Sequence, residues 1–194
     1  PDMEGDAIGG SVNFITKTAP SKKTLNVNLG YGYNNQAQRP VQSGSILYGD
    51  RVADGKIGFM VSGTYWNRNW GTDNYEVVYN EDNFALNNLQ LRDYLGQRTT
   101  HGINVGFEYV PNDNHKIYIR SLNTTFKDRE SAVEHIFNFD QSTMDQRVRE
   151  GIVNINLYGA EIGGNHDFAN NRIGLDWKFS SYGAEMTNKK VPGS

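Results

Sequence analysis

The chain has 194 residues, no cysteine and a formal net charge of -3. The absence of cysteine excludes disulfide bonds and thiolate metal sites, and the nearly balanced charge without a long basic run argues against a nucleic-acid-binding surface. The mean hydropathy of -0.67 is that of a polar protein. It still permits transmembrane strands, because such a strand needs only about 9–11 residues with every second one apolar.

The first structural signal in the chain is a glycine-rich turn that leads into a short strand. Residues 4–17 read EGDAIGGSVNFITK, where Gly5, Gly9 and Gly10 permit a tight turn and residues 11–16 then alternate. The run is neither a phosphate-binding loop nor a dinucleotide-binding motif. We expect the Asp6 carboxylate to cap its own turn rather than bind a metal ion.

Alternation of apolar and polar residues then predicts seven strands. In the first of them Leu25, Val27 and Leu29 share one face, and asparagine and glycine occupy the other. A change of phase near Leu122 predicts a bulge in the fifth strand. The predicted strands cover about 23–33, 43–51, 56–66, 99–110, 116–127 and 148–168, and a last strand that contains Ile173, Leu175, Trp177 and Phe179.

The predicted connections between these strands alternate between long and short. Long connections cover about 34–42, 67–98 and 128–147, and short turns cover about 52–55, 111–115 and 169–171. Within 67–98 we expect one short helix, with Asn83 as its cap, Leu91 and Leu95 one turn apart, and Gly96 at its end. Residues 128–150 match both a capping box at Ser131 and strand alternation, and we favour strand extensions around a loop near Asp140.

Alternating long and short connections are typical of transmembrane β-barrels, which have long external loops and short periplasmic turns. We therefore expect the apolar faces to contact lipid, including the face that carries Val153, Ile155 and Leu157. Charged residues on the opposite face should line the lumen: Glu108, Arg120, Asp176 and Lys178. Aromatic residues near strand ends fit the two membrane interfaces: Tyr31, Tyr33, Tyr65, Tyr109 and Phe168. Glycines on the lumen face would let an internal domain approach closely: Gly30, Gly32, Gly58 and Gly106.

Chemistry-bearing motifs are absent from the sequence. The four histidines are isolated from one another and lack the spacing of a zinc site, and no nucleophile motif is present, so we expect neither a metal site nor an enzyme. The candidate ligand contacts are the aromatic residues of the second long connection, since aromatic rings stack on flat or amphipathic ligands: Trp66, Trp70, Tyr75 and Tyr79. Packing within the connection itself is the alternative role for these rings.

The opening run resembles a known family. Gly5, Asp6, Ala7, Ile8, Gly9 and Gly10, followed by Val12, Asn13, Ile15, Thr16 and Lys17, are similar to the end of the plug domain of TonB-dependent outer-membrane receptors. The resemblance implies that residues 1–20 end a plug and that 21–194 form the first strands of an antiparallel transmembrane β-barrel. Gly5, Asp6, Gly9, Gly10 and Asn13 are the residues of this plug-end motif.

The same resemblance implies a function in the bacterial outer membrane. Receptors of this family import a scarce nutrient, such as a siderophore, cobalamin or a glycan, and they take energy from the TonB complex through the plug. The implied partners are the lipid bilayer, that complex and the nutrient, with a surface lipoprotein as a further candidate, and neither a cofactor nor nucleic acid is implied. Because no signal peptide opens the sequence, we expect a fragment of the complete receptor.

Two alternatives share parts of this pattern. A passive porin or adhesin barrel would have the same strands, and only the plug-end motif separates it from a transporter. A soluble β-sandwich or a lipocalin-like binding module would have the apolar faces turned inward.

Overall fold

A computed structural model describes residues 19–168 and 172–190 of the chain, and these residues form one antiparallel sheet. The sheet has seven strands in the order of the sequence, so each strand pairs with the strands before and after it. The strands are β1 (Thr24–Asn34), β2 (Arg39–Val52), β3 (Ile57–Tyr79), β4 (Leu86–Asn112), β5 (His115–Asn138), β6 (Thr143–Phe168) and β7 (Ile173–Lys190). The prediction of an all-β, up-and-down architecture with seven strands is confirmed.

The sheet is open. Among the described residues β1 pairs only with β2, and β7 pairs only with β6, so each of these strands leaves one edge without a partner. None of the described residues forms a helix, and hence none forms an apolar helix long enough to cross a membrane.

The middle strands are much longer than the sequence pattern predicted. β3 to β6 have 23, 27, 24 and 26 residues, whereas strands of globular proteins usually have about 3–10. β2 stops pairing with β3 at Arg68, and β6 and β7 are paired only from Gly151 onward. The four-stranded part beyond these points, residues 69–97 and 129–150, is called the wing below.

The predicted helix in 67–98 is wrong, because the segment is a hairpin. Tyr75 pairs with Leu91 and Gly71 pairs with Leu95, so the two leucines lie on one face of β4 with period two. A spacing of four residues fits both a helix and a strand, and pairing with β3 decides for the strand. The Asn83 side chain accepts a hydrogen bond from the Ala85 amide at 2.9 Å within the turn 80–85 and caps no helix.

Residues 128–150 are strand extensions around a turn at 139–142, as the sequence analysis favoured. The predicted bulge near Leu122 is wrong, since the pairing of β5 with both neighbours continues without a shift past this residue. The apolar residues of β5 change face at this point while the strand itself does not. The irregularities of the sheet lie instead between Val78 and Tyr79 and between Tyr109 and Asn112.

The connections are tight turns, and the predicted long connections consist mostly of strand. Residues 35–38, 80–85 and 139–142 turn at the wing end of the sheet, and residues 53–56 and 113–114 turn at the other end. At the turn 53–56 the backbone adopts positive φ at Ala53, Asp54 and Gly55, with φ of 83° at the glycine. The predicted turn 169–171 lies outside the described residues.

The described residues form a single layer rather than a packed two-layer core. Few side chains are buried, among them Met60 at 4%, Ala132 at 2% and Ile136 at 5% exposure. Large apolar side chains are instead exposed along the strands, such as Leu29 at 85% and Phe179 at 68%. What covers these side chains is therefore the main question that the fold poses for function.

Candidate functional site

The two faces of the sheet differ in chemistry. One face carries Leu25, Val27, Val61, Val105 and Leu175, and it is called the apolar face. The other, called the polar face, carries the four charged residues that the sequence analysis assigned to a lumen: Glu108, Arg120, Asp176 and Lys178. The pairing of the strands places all four on one side, as predicted. The five aromatic residues predicted at membrane interfaces also share a face, the apolar one.

The apolar face carries a band of exposed aliphatic and aromatic side chains across all seven strands. On β1 the band covers 25–33 and is centred on Leu29, on β4 it covers 103–109, and on β7 it covers 173–179. The band is contiguous and its side chains are open to solvent, such as Ile103 at 60% and Leu175 at 50% exposure. Water-exposed apolar surfaces of this extent mark contact with a membrane or another protein.

The band runs diagonally across the strands. The row that begins at Leu29 continues through Gly44, Tyr65, His101, Thr125, Asn156 and Glu185. On β7 the centre of the band is near Asp176, about nine residues away from Glu185 along the strand. On β4 the centre is about five residues away from His101, so the displacement grows steadily from strand to strand.

The displacement gives the angle between the band and the strands. About nine residues correspond to about 30 Å along a strand, and six steps between strands correspond to about 29 Å across the sheet. The band is therefore inclined to the strands by about 45°, and the strands are inclined by the same angle to the direction perpendicular to the band. Strands of transmembrane barrels are tilted by about 35–45° from the membrane normal, and their apolar band is about 25 Å tall.

A buried carboxylate organises the polar face near the end opposite the wing. Glu108 is 2% exposed and pairs with two cations, Arg51 of β2 and Lys116 of β5, whose Nζ lies 2.9 Å from Glu108 Oε1. Gly58 of β3 lies between Arg51 and Glu108, and its missing side chain leaves the path open. These two ion pairs link residues of β2, β4 and β5 across β3, so they connect four neighbouring strands of the sheet.

The chain reaches this sheet along its polar face. Ala19 is 6% exposed and lies against Gly58, while Pro20 lies against Gly49. A Cβ atom at Gly58 would stand 2.7 Å from the Cβ of Ala19, so only glycine leaves room for this contact. Arg51 Nη2 donates to the Ala19 carbonyl at 3.3 Å. Of the four glycines on this face that the sequence analysis named, Gly58 is therefore one against which the chain packs, at Ala19.

Further ion pairs follow the polar face toward the wing. Arg120 Nη1 lies 3.4 Å from Glu161 Oε1, and Arg98 Nε lies 2.9 Å from Asp128 Oδ2. Within the wing, Glu134 is 5% exposed and pairs with Arg149 and Arg92.

The Arg92 guanidinium also pairs with Glu76 at 2.7 Å. Burial lowers the pKa of Arg92, but the hydrogen bond and charge of Glu76 and the charge of Glu134 outweigh this effect and raise the pKa above its ordinary value. These charged side chains of the polar face are thus paired with opposite charges within the sheet itself.

The predicted face of one apolar run is wrong. Val153, Ile155 and Leu157 lie on the polar face, because they pair with Asp128, Phe126 and Thr124 of β5. The alternation on β6 is real, but on both β5 and β6 the apolar residues change from one face to the other along the strand. Beyond Leu122, toward the wing, the polar face therefore carries apolar residues and the apolar face carries polar ones.

The structure does not gather the four predicted ligand contacts into one site. Trp66 and Trp70 lie on the polar face of β3, near the start of the wing. The indole of Trp70 covers Gly96, where any Cβ would clash with the ring, and the guanidinium of Arg98 lies 5.2 Å from its centre. Tyr75 lies on the opposite face of the wing, and Tyr79 lies beside the turn 80–85.

The histidines are not all isolated. His115 Nδ1 and His166 Nδ1 lie 3.2 Å apart on neighbouring strands, and Trp177 Nε1 donates to His166 Nε2 at 3.0 Å. Only the pairing of β5 with β6 brings them together, which spacing along the sequence could not reveal. Within 19–168 and 172–190 no three histidine, aspartate or glutamate side chains are arranged to hold a metal ion.

The residues of the plug-end motif lie outside the described part of the chain: Gly5, Asp6, Gly9, Gly10 and Asn13. Arg51 and Lys116, which sequence reasoning did not single out, become prominent because they meet Glu108. The signal available in the sequence was a charged residue on the polar side of each of three predicted strands.

Comparison with known proteins adds no relative. No family model, no curated protein and no solved structure matches this chain.

Proposed function

We propose that this sheet is part of a transmembrane β-barrel of a bacterial outer membrane, with its apolar face toward lipid. The observation that carries the proposal is the diagonal band, because an apolar stripe inclined by about 45° to the strands is what a barrel of tilted strands presents to a flat membrane. A soluble sheet packed on a second sheet has no reason to drift in this way. Strands of 23 and 27 residues are also far longer than such folds require.

Closure of the barrel would satisfy the edges of the sheet. In lipid, unpaired backbone groups cost several kcal/mol each, so both β1 and β7 need a further strand beside them. We propose that additional strands complete the wall and that the polar face encloses the lumen. Glu108 and Arg120, which are both ion-paired within the sheet, and Lys178 then line this lumen rather than facing the bilayer.

Within the outer membrane we propose active import of a scarce nutrient by the TonB-dependent mechanism. The support is the resemblance of residues 5–17 to the end of a plug, together with the position of Ala19 and Pro20 against the polar face. A chain that approaches the wall from the lumen side is what a plugged barrel requires. The nutrient would be a siderophore, cobalamin or a glycan. The TonB complex would be the protein partner, with a surface lipoprotein as a further candidate.

The residues of the wall have simple roles in this proposal. Glu108 and its two cations keep the strands in register around a lumen that must admit a moving domain. Trp66, which is 37% exposed, and Trp70 lie on the lumen side near the wing, where a nutrient would enter. Tyr75 and Tyr79 are not part of this entrance.

Liposome swelling separates active import from passive diffusion. The full-length protein is reconstituted into liposomes, and swelling is recorded in isotonic arabinose and in isotonic stachyose. A plugged transporter gives no swelling above that of empty liposomes, whereas a passive porin swells with arabinose.

In cells, uptake of labelled ferric siderophores, cobalamin and oligosaccharides is then compared with and without a protonophore. Energy-dependent uptake of one of them supports the proposal. Rapid arabinose swelling, or uptake that the protonophore does not change, would refute it.

A further inference from the structure

The wing exposes an unpaired strand edge. β2 pairs with β3 only as far as Arg68, while β3 continues to Tyr79. The turn of the β1–β2 hairpin reaches the height of Gly71, where a Cβ would stand 3.3 Å from the Ala37 amide. Beyond that point no described strand lies beside β3 on this side. Residues 72–78 therefore form a free edge of about 23 Å.

The backbone groups of this edge can be assigned from the hydrogen bonds at the other end of β3. The Val110 amide donates to the Lys56 carbonyl at 2.7 Å, which makes the even-numbered residues of β3 those that bond to β4. The amides and carbonyls of Asp73, Tyr75 and Val77 point the other way, toward the free edge. They are the groups with which an added strand would pair.

This edge lacks several of the features by which proteins prevent unwanted pairing. Natural edge strands are protected by charged side chains, especially lysine, by proline, by bulges or by shortness. Residues 72–78 read TDNYEVV, without lysine or proline, and the register shift of this hairpin comes only after Val78. The charges of the edge are acidic, so they repel an acidic strand and leave the edge open to a basic one.

Charge and shape define what kind of strand fits. Between residues 71 and 91 the chain has no lysine or arginine but four acids, of which Glu76 is paired with Arg92 while Asp73, Glu81 and Asp82 are in no ion pair among the described residues. Next to the edge, a shallow depression of about 420 Å³ is lined by Asp73, Asn74, Tyr75, Leu91, Arg92, Asp93, Val133 and His135. Tyr75 is 74% exposed, so its ring is free to pack on a neighbour.

We propose that residues 72–78 bind an extended, positively charged peptide strand of a partner protein by β-augmentation. Backbone hydrogen bonds to Asp73, Tyr75 and Val77 hold the strand, the acidic hairpin attracts its cations, and one apolar side chain enters the depression beside Tyr75. The site is independent of nutrient transport, since it depends only on the wing.

Fluorescence anisotropy tests the proposal on the full-length protein in lipid nanodiscs. The probe is a fluorescein-labelled octapeptide of alternating lysine and valine or threonine, and a peptide with glutamate in place of lysine is the control. We expect the lysine peptide to bind, the glutamate peptide to bind at least about tenfold more weakly, and the affinity of the lysine peptide to fall as salt is raised.

Two variants locate the binding at the edge. Val77→Pro removes one edge amide and leaves the bonds of Glu76 and Val78 to β4, so it should weaken binding by at least about tenfold, while Val77→Thr keeps the amide and should bind as the parent does. Asp73→Asn combined with Glu81→Gln leaves the backbone and the pair of Glu76 with Arg92 unchanged and should also weaken binding by about tenfold, whereas Asp113→Asn at the opposite end of the sheet should not.

Each contrary result overturns the proposal. Equal binding of the lysine and glutamate peptides would refute the preference for a positively charged strand. Equal binding of Val77→Pro and Val77→Thr would refute the edge as the site. Absence of binding by the parent protein excludes the partner strand. Self-association without peptide, if it is abolished by Val77→Pro, would show that a second copy of the chain occupies the edge instead.

Discussion

Arginine substitutions at two positions of β7 test the inclination of the apolar band. Leu175 and Ser181 both lie on the apolar face, six residues apart, and Ser181 shares its row with Val105 at the centre of the band on β4. If strands cross the bilayer at about 45°, each residue rises by about 2.3 Å. Leu175 then lies within about 3 Å of the midplane, and Ser181 lies about 12 Å above it, at the edge of the hydrocarbon.

The two positions should therefore differ in the cost of a charge. An arginine at the midplane of a barrel costs about 2–4 kcal/mol of folding free energy, and near the interface it costs about 0–1 kcal/mol. We expect Leu175→Arg and Val105→Arg to be destabilising by the larger amount and Ser181→Arg by the smaller one. Leu175→Ala and Ser181→Ala separate the loss of the original side chain from the gain of charge.

The assay is reversible unfolding in guanidinium, followed by tryptophan fluorescence in phospholipid vesicles. The comparison of Val105 with Ser181 is the sharpest, because the two residues occupy one row of the sheet. A membrane parallel to the rows would make both arginines equally costly. Equal costs at these two positions, or no cost at any of the three, would refute the inclined band.

Two further predictions concern the polar face. Glu108→Ala leaves two cations beside each other on the polar face and should lower the free energy of unfolding by about 3 kcal/mol. Lys116→Ala should lower it by about 1 kcal/mol. Equal losses in the same vesicle assay would contradict the central place of the carboxylate. Gly58→Val should push the incoming chain off the wall, so that a cysteine at Ala19 reacts rapidly with a water-soluble maleimide only in this variant. A cysteine at Ser21 should react in both backgrounds, and an Ala19 cysteine that reacts equally in both would speak against the contact.

The sequence revealed the strands through their periodicity but not their lengths. Where apolar and polar residues alternate strictly, as around Leu25, Val27 and Leu29, the pattern predicted both the strand and the residues that share a face. Residues 67–98 and 128–150 are less regular because both faces of the wing carry polar residues. In such segments the pairing partner decides the structure, and single-sequence periodicity does not identify the partner.

The details of the candidate site depend on contacts between strands. Glu108 was recognisable as a charge on the polar side, but Arg51 reaches it only because Gly58 on the strand between them has no side chain. Lys116 reaches it because β5 pairs with β4. The contact between His115 and His166 likewise arises from the register of β5 and β6. The face of Leu157 was mispredicted for the same reason, since alternation tells which residues share a side but not which side of the sheet it is.

The most direct test of the central claim is the accessibility of spin labels in the membrane. Single cysteines at Val27, Val61, Val105 and Leu175 sample the apolar face on four strands, and cysteines at Asn28, Ser62 and Asn104 sample the polar face. After nitroxide labelling in bilayers, collision with oxygen reports lipid and collision with a water-soluble nickel chelate reports water. We expect high oxygen and low nickel accessibility at all four apolar-face positions and the reverse order at the polar-face positions. Apolar-face labels that collide with neither reagent, as in a dry protein core, or that collide mainly with nickel, would contradict it.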